Sequence, residues 1–155
     1  MTNNWFECKI KYEKTLEEGK IQKVNESYLV FAFSFTDAEA RIIEEMKPFI
    51  SGEFEVANIK KVRLWELFDD GEGDRWYRCK VYLITLDEES GTEKKKGISV
   101  LVHASNVKEA WDVLTKGMDG TLSDYEVAAI VETPLMDVYR DMVAPEAAAT
   151  GVQLA

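Results

Sequence analysis

Phe54–Phe68 reads FEVANIKKVRLWELF, and Tyr125–Tyr139 reads YEVAAIVETPLMDVY. Phe54 answers Tyr125, and Glu55-Val56-Ala57 answers Glu126-Val127-Ala128. Ile59, Leu64 and Phe68 answer Ile130, Leu135 and Tyr139, always 71 positions apart. A match sustained at one period over a whole segment marks a tandem duplication. Each copy ends on this segment, so the rest of each copy is read back from it.

In the first copy, Trp5–Tyr12 (WFECKIKY) alternates. Phe6, Cys8, Ile10 and Tyr12 take one face, and Glu7, Lys9 and Lys11 the other. This period of two belongs to a strand with one wet side. TLEEGK follows as a turn in which Gly19 takes a positive φ. A second strand is expected from Ile21 to Phe35, apolar on both faces from Tyr28 onward, as in a covered strand. Thr36 and Glu39 have capping-box spacing, so a helix is expected to open at Thr36. It should bury Ala38, Ala40, Ile42, Ile43 and Met46 and stop near Pro48. Glu53–Val62 reads as a third strand. Leu64–Phe68 fits either a short strand or a helical turn.

Asp69–Asp74 (DDGEGD) is a short acidic connection, read as solvated. WYRCKVYL (Trp76–Leu83) then repeats the first strand, with Tyr77, Cys79, Val81 and Leu83 inward and Tyr82 and Ile84 outward. After the charged Thr85–Gly97 excursion, Ile98–Ala104 is the second strand of this copy. Asn106 and Glu109 repeat the capping spacing before a helix over Val107–Lys116, which should bury Ala110, Trp111, Val113 and Leu114. Gly117 is placed to stop that helix. Tyr125–Thr133 is the closing strand, and Met136–Met142 reads as a short terminal helix.

The expected fold is therefore α+β: a tandem ββαβ duplication with pseudo-twofold symmetry, with two helices on a mostly antiparallel sheet. Two small sheets are the open alternative. Residues 1–142 are expected to form one compact domain of two repeats, 5–68 and 76–139, with 143–155 as a flexible C-terminal tail. The two inward rows should be joined in the core by Val30, Phe31, Val100, Leu101, Val56 and Val127.

The formal net charge of −10 weighs against binding of phosphate backbones and anionic membranes. No apolar run is long enough to span a bilayer, and the opening MTNNWFECKI lacks a basic-then-apolar leader, so a cytoplasmic location is expected. Cys8 and Cys79 sit on the inward rows and read as two buried thiols. His103, the single histidine, aligns with Phe33 and has no metal-ligand spacing around it, so it reads as a packed, hydrogen-bonded residue. Asp69, Asp70, Glu72 and Asp74 come nearest to a cation loop but lack its pattern. No glycine-rich phosphate cradle and no nucleophile elbow is present. The expectation is no catalytic residue, no metal and no cofactor.

The strongest candidate surface is the outward row of the two first strands: Lys9, Lys11, Arg78, Lys80 and Tyr82, flanked by Trp5 and Trp76. Aromatic and cationic side chains of this kind suit a protein partner. The alternative is single-stranded nucleic acid, held by stacking and charge. A third reading takes the acidic surface as a nucleic-acid mimic.

The phrases WFECKIKYEKTLEEGK, SFTDAEARIIEEMKPFISGEFEVANIKK and GDRWYRCKVYLITLDEESGTEKKK resemble the uncharacterised family called domain of unknown function 4494. The resemblance runs over about Trp5–Tyr139. It implies a setting in Bacteroidetes, their mobile elements and phages. It carries no activity and no site residues.

Overall fold

The computed structural model describes residues 2–140. The chain forms two compact units. Among the described residues, the β1 unit holds 4–61 and 138–140, and the β5 unit holds 2–3 and 62–137. The expected tail, 143–155, and Met142 lie outside the described residues.

In the β1 unit, β1 (Thr2–Thr15) and β2 (Ile21–Phe31) form an antiparallel hairpin in which Cys8 faces Tyr28 and Trp5 faces Phe31. The turn between them places Gly19 at φ 80°, as its sequence context requires. Helix α1 (Phe35–Met46) and β3 (Phe54–Leu64) follow. The sheet order is β3-β1-β2-β8, where β8 is Leu135–Tyr139. Phe6, Cys8, Ile10, Tyr28 and Val30 from the sheet close on Ala38, Ile42 and Met46 from α1.

The β5 unit repeats the plan. β5 (Arg75–Asp87) and β6 (Thr92–Ala104) pair antiparallel, with Cys79 facing Val100 and Trp76 facing His103. Helix α2 (Val107–Asp119) and β7 (Asp124–Glu132) complete the repeat. The sheet order is β4-β6-β5-β7, where β4 is Glu66–Phe68 and runs parallel to β6. Tyr77, Cys79, Val81, Val100 and Val102 close on Ala110, Leu114 and Met118.

The tandem ββαβ duplication is thus seen, and the choice between one sheet and two falls on two. The short strand that closes each repeat lies in the sheet built on the other repeat's hairpin. The undecided Leu64–Phe68 segment supplies the strand β4. Met136–Tyr139, expected as helix, is strand β8 instead, because its ladder partner β2 supplies hydrogen bonds that no local pattern reveals.

Several boundaries move. β2 stops at Phe31, not Phe35, and α1 opens at Phe35. Its cap is Ser34, whose Oγ accepts from the Asp37 N–H at 3.0 Å, rather than Thr36. Ala40 is exposed, because the buried stripe falls on Ala38, Ile42 and Met46. These three stand 72 positions before Ala110, Leu114 and Met118, so the repeats slip by one residue in the helices against the closing strands. Asn106 caps α2 as expected, accepting from the Glu109 N–H at 2.9 Å. Trp111 is half-exposed rather than buried. Leu101 is buried, but it lies on the opposite face from Val100 and Val102 and does not join the core cluster against α2.

Gly117 does not stop α2, which runs on to Asp119. A Cβ on Gly117 would lie 2.6 Å from the Phe68 ring, so the glycine lets β4 press its aromatic ring against the helix.

Candidate functional site

Alternation fixes where the outward row goes. Lys9 and Lys11 are exposed on β1, across from Ser27 and Asn25 of β2. Arg78 and Lys80 are exposed on β5, and Tyr82 is half-buried beside them. The row is therefore divided between the two units, with Lys9 and Lys11 in one and Arg78, Lys80 and Tyr82 in the other.

The aromatic flanks of that row are occupied. Trp5 is buried and meets Phe31 edge-on at 5.5 Å. Trp76 is buried and stacks on His103, centroids 4.0 Å apart and planes within 4°. The Tyr82 ring lies over Gly97, where a Cβ would be 3.6 Å away, and Lys80 Nζ stands 5.3 Å from its centre. Neither tryptophan offers a free face.

Lys11 also borders a groove of about 780 Å³ in the β1 unit. Lys23 adds a second cation to its walls, while Glu13, Glu53 and Glu55 add three carboxylates. A phosphate chain entering there meets more negative than positive charge.

His103 aligns structurally with Phe31, since each faces the tryptophan that opens its hairpin; the alignment with Phe33 does not hold. Its Nδ1–H donates to Asp69 Oδ1 at 3.0 Å, a tautomer set by the carboxylate, which can only accept. The same oxygen accepts from the Gly71 N–H at 2.9 Å. Gly73 comes so close to Ala104 that a Cβ would stand 2.6 Å from its backbone. The connection between repeats, expected to be solvated, is thus folded against the end of β6, with the Asp69 side chain largely buried.

The β1 unit carries a polar network where the β5 unit is apolar. Tyr28 donates to Glu26 at 3.0 Å and stacks on Tyr139 at 6.2 Å. The Arg41 guanidinium stands 5.9 Å from the Tyr139 ring centre, and Arg41 Nε donates to Glu45 at 2.9 Å. Strand register and helix alignment put Ile98, Val100, Phe68, Val113 and Gly117 at the matching places. Burial and the bond to the Glu26 carboxylate push the Tyr28 phenol far above its ordinary range.

The repeats differ again where the second strand turns into the helix. Phe31, Phe33 and Phe35 hold this corner in the β1 unit, and His103, Ser105 and Val107 hold it in the β5 unit. Phe31 and Phe33 meet edge-on at 5.9 Å, and Phe6 and Phe35 at 4.9 Å. Phe33 is nonetheless 66% exposed and Phe35 53%. Sequence reasoning missed this surface by running the strand on through Phe35. The signal was the lack of any such aromatic run in the second copy.

Cys8 and Cys79 are buried free thiols, and burial pushes each from 9.0 up to about 12. Among the described residues, no group of three or more His, Cys, Asp or Glu side chains could hold a metal ion. No described helix is long and apolar enough to cross a membrane.

Neither the curated proteins nor the solved structures include a match to this chain. The profile of one family, described as "Domain of unknown function (DUF4494)", matches residues 4–141. With that match over nearly its whole length, the duplicated, strand-exchanging chain belongs to the DUF4494 family.

Proposed function

We propose that the chain is a non-catalytic protein-interaction module. The observation that carries this reading is the aromatic corner of the β1 unit. Burying apolar surface stabilises a fold by about 25 cal/mol per Å². Phe33 and Phe35 forgo much of that in the free chain, while the second repeat folds with Ser105 and Val107 at the same places. Exposed aromatic side chains of this kind are the usual anchors of protein interfaces. Two further observations support the absence of catalysis. Each thiol is protonated at neutral pH, and the one imidazole is engaged by Asp69 and Trp76. A place in phage or mobile-element biology, and in the cytoplasm, belongs to the same proposal and rests on the family resemblance and the composition.

The test is capture from host lysate by the tagged chain, with and without nuclease. The comparison is with Phe33→Ser and Phe35→Val, residues with which the other repeat already folds. A protein that survives nuclease and is lost with either substitution supports the reading. Recovery of nucleic acid, lost instead with Arg78→Ala and Lys80→Ala, overturns it in favour of the single-stranded nucleic-acid reading. A captured protein that itself binds DNA, and that DNA displaces, would identify the acidic surface as the nucleic-acid mimic.

A further inference from the structure

Strand β3 is an edge. Its one ladder neighbour in the sheet order is β1, and no described strand lies on its other side. An open edge presents unpaired N–H and C=O groups that another extended chain can complete. Which chain it accepts is set by the side chains along it.

Two consecutive cations stand on this edge in a chain of net charge −10. Lys60 is largely exposed, with Glu7 3.9 Å away, at the outer limit of an ion pair. Lys61 is exposed, its Nζ 5.9 Å from the centre of the Phe6 ring. The other side of that aromatic pair is Phe35, more than half exposed. The open backbone edge therefore carries two lysines, Lys60 on the face of Glu7 and Lys61 on the face of Phe6.

The second repeat lacks this combination. Val131 and Glu132 occupy the places of Lys60 and Lys61, and Val107 that of Phe35. Glu132 already has the Arg75 guanidinium 3.8 Å away. β7 also carries an irregularity opposite Lys80 and Val81, which leaves Ala128 without a partner and bends the edge. One edge strand of the duplication is thus blunted and acidic, and the other carries two lysines.

Edge lysines ordinarily keep strands from pairing with copies of themselves, because like charges would be set opposite one another. That same repulsion acts as a filter: it turns away basic strands and a second β3, but not an acidic strand. We infer that the open edge of β3 receives an extended acidic segment of a partner protein by strand addition. Lys60 and Lys61, on opposite faces of β3, meet carboxylates at two adjacent positions of that segment. Backbone hydrogen bonds supply affinity and the alternating side chains supply selectivity. This inference rests on the interaction-module reading and names the chemistry of the partner segment.

The experiment uses the full chain and a short, labelled valine-rich peptide with two adjacent glutamates at its centre, read by fluorescence anisotropy. Two control peptides accompany it: lysine for glutamate, and the acidic peptide with alternate backbone nitrogens methylated. The acidic peptide should bind, and both controls should fail. Lys60→Glu with Lys61→Glu should weaken binding by about tenfold or more, as loss and reversal of two surface charge contacts requires. No binding of the acidic peptide overturns the proposal. Equal binding of the methylated peptide also overturns it, since attraction would then be electrostatic without strand addition. Concentration-dependent sedimentation of the chain that Lys60→Glu abolishes would instead assign the edge to a second copy. A nuclease-resistant partner from lysate combined with a silent peptide assay would sink this inference and leave the interaction-module reading standing.

Discussion

Phe68 fills the space that a side chain on Gly117 would need. A Cβ at residue 117 would lie 2.6 Å from the ring carbons. In the β1 unit the matching pair is Tyr139 and Glu45, and there Arg41 lies beside the ring and holds the glutamate. The glycine is therefore a packing device in mid-helix. Alanine normally stabilises a helix interior by about 1 kcal/mol over glycine. Here Gly117→Ala should destabilise the chain by about 1–3 kcal/mol, the usual cost of overpacking. Urea unfolding measures it, and Phe68→Leu in the same chain should restore most of the loss.

The pairing of Trp76 with His103 mirrors that of Trp5 with Phe31, so His103→Phe keeps the aromatic contact. It removes the N–H that Asp69 accepts in a largely buried place. We expect a loss of about 1–3 kcal/mol, the cost of taking a partner from a buried polar group. Asp69→Asn in the same background should recover part of it. Equal stability of His103→Phe and the parent chain would show that the connection does not depend on this bond.

Both thiols have their folded pKa raised by burial, from 9.0 to about 12, and the Tyr28 phenol is raised as well. A raised pKa favours the neutral form in the folded state. The stabilisation is thus fully present below the unfolded value and is lost as pH rises toward the folded one. Stability from urea titrations should show no thiol contribution to its slope below about pH 9 and should fall between there and about pH 12. A thiol reagent at pH 8 should leave the native chain unlabelled and label both cysteines after denaturation. Rapid labelling of the native chain would contradict the burial.

Ser34→Ala removes the acceptor for the Asp37 N–H at the start of α1. The expected cost is about 0.5–2 kcal/mol. Thr36→Ala, on the residue whose spacing had suggested the cap, should cost less, because Thr36 lies inside the first turn. Thermal denaturation of the two variants side by side decides between them.

These contrasts show what was legible in the chain. The alternation in WFECKIKY and WYRCKVYL gave both inward rows, and all of Phe6, Cys8, Ile10, Tyr77, Cys79 and Val81 are buried. The lysines and Arg78 fell on the outward side as read. Trp5 and Trp76 were misread as part of that surface, since a ring at a strand start gives no local sign of what covers it. The end of β2 was misread because Phe33 and Phe35 continue an apolar period, and a period read alone assigns apolar residues to the inside. Gly117 carried two meanings, helix stop or close contact, and the deciding residue, Phe68, is remote in sequence. β8 was missed for the same reason: its partner β2 lies more than a hundred positions away. The aromatic corner was legible only as a difference between the copies, once the slip from 71 to 72 positions was placed in the hairpin turn and its reversal between helix and closing strand.

The crossed placement of β4 and β8 bears on how such a chain could have arisen. A gene encoding only the first repeat would end on a strand whose ladder partner, β6, it does not contain. Its product would have to find the equivalent of β6 in another molecule, giving a symmetric pair of chains that trade their last strands. Duplication and fusion turn that encounter into an intramolecular one, replacing a dependence on cellular concentration with an effective concentration in about the millimolar range. The fused chain is also released from symmetry: each copy can change without its twin. Phenylalanines could then collect at one corner, and a histidine latch form at the other, in a way that no homodimer permits.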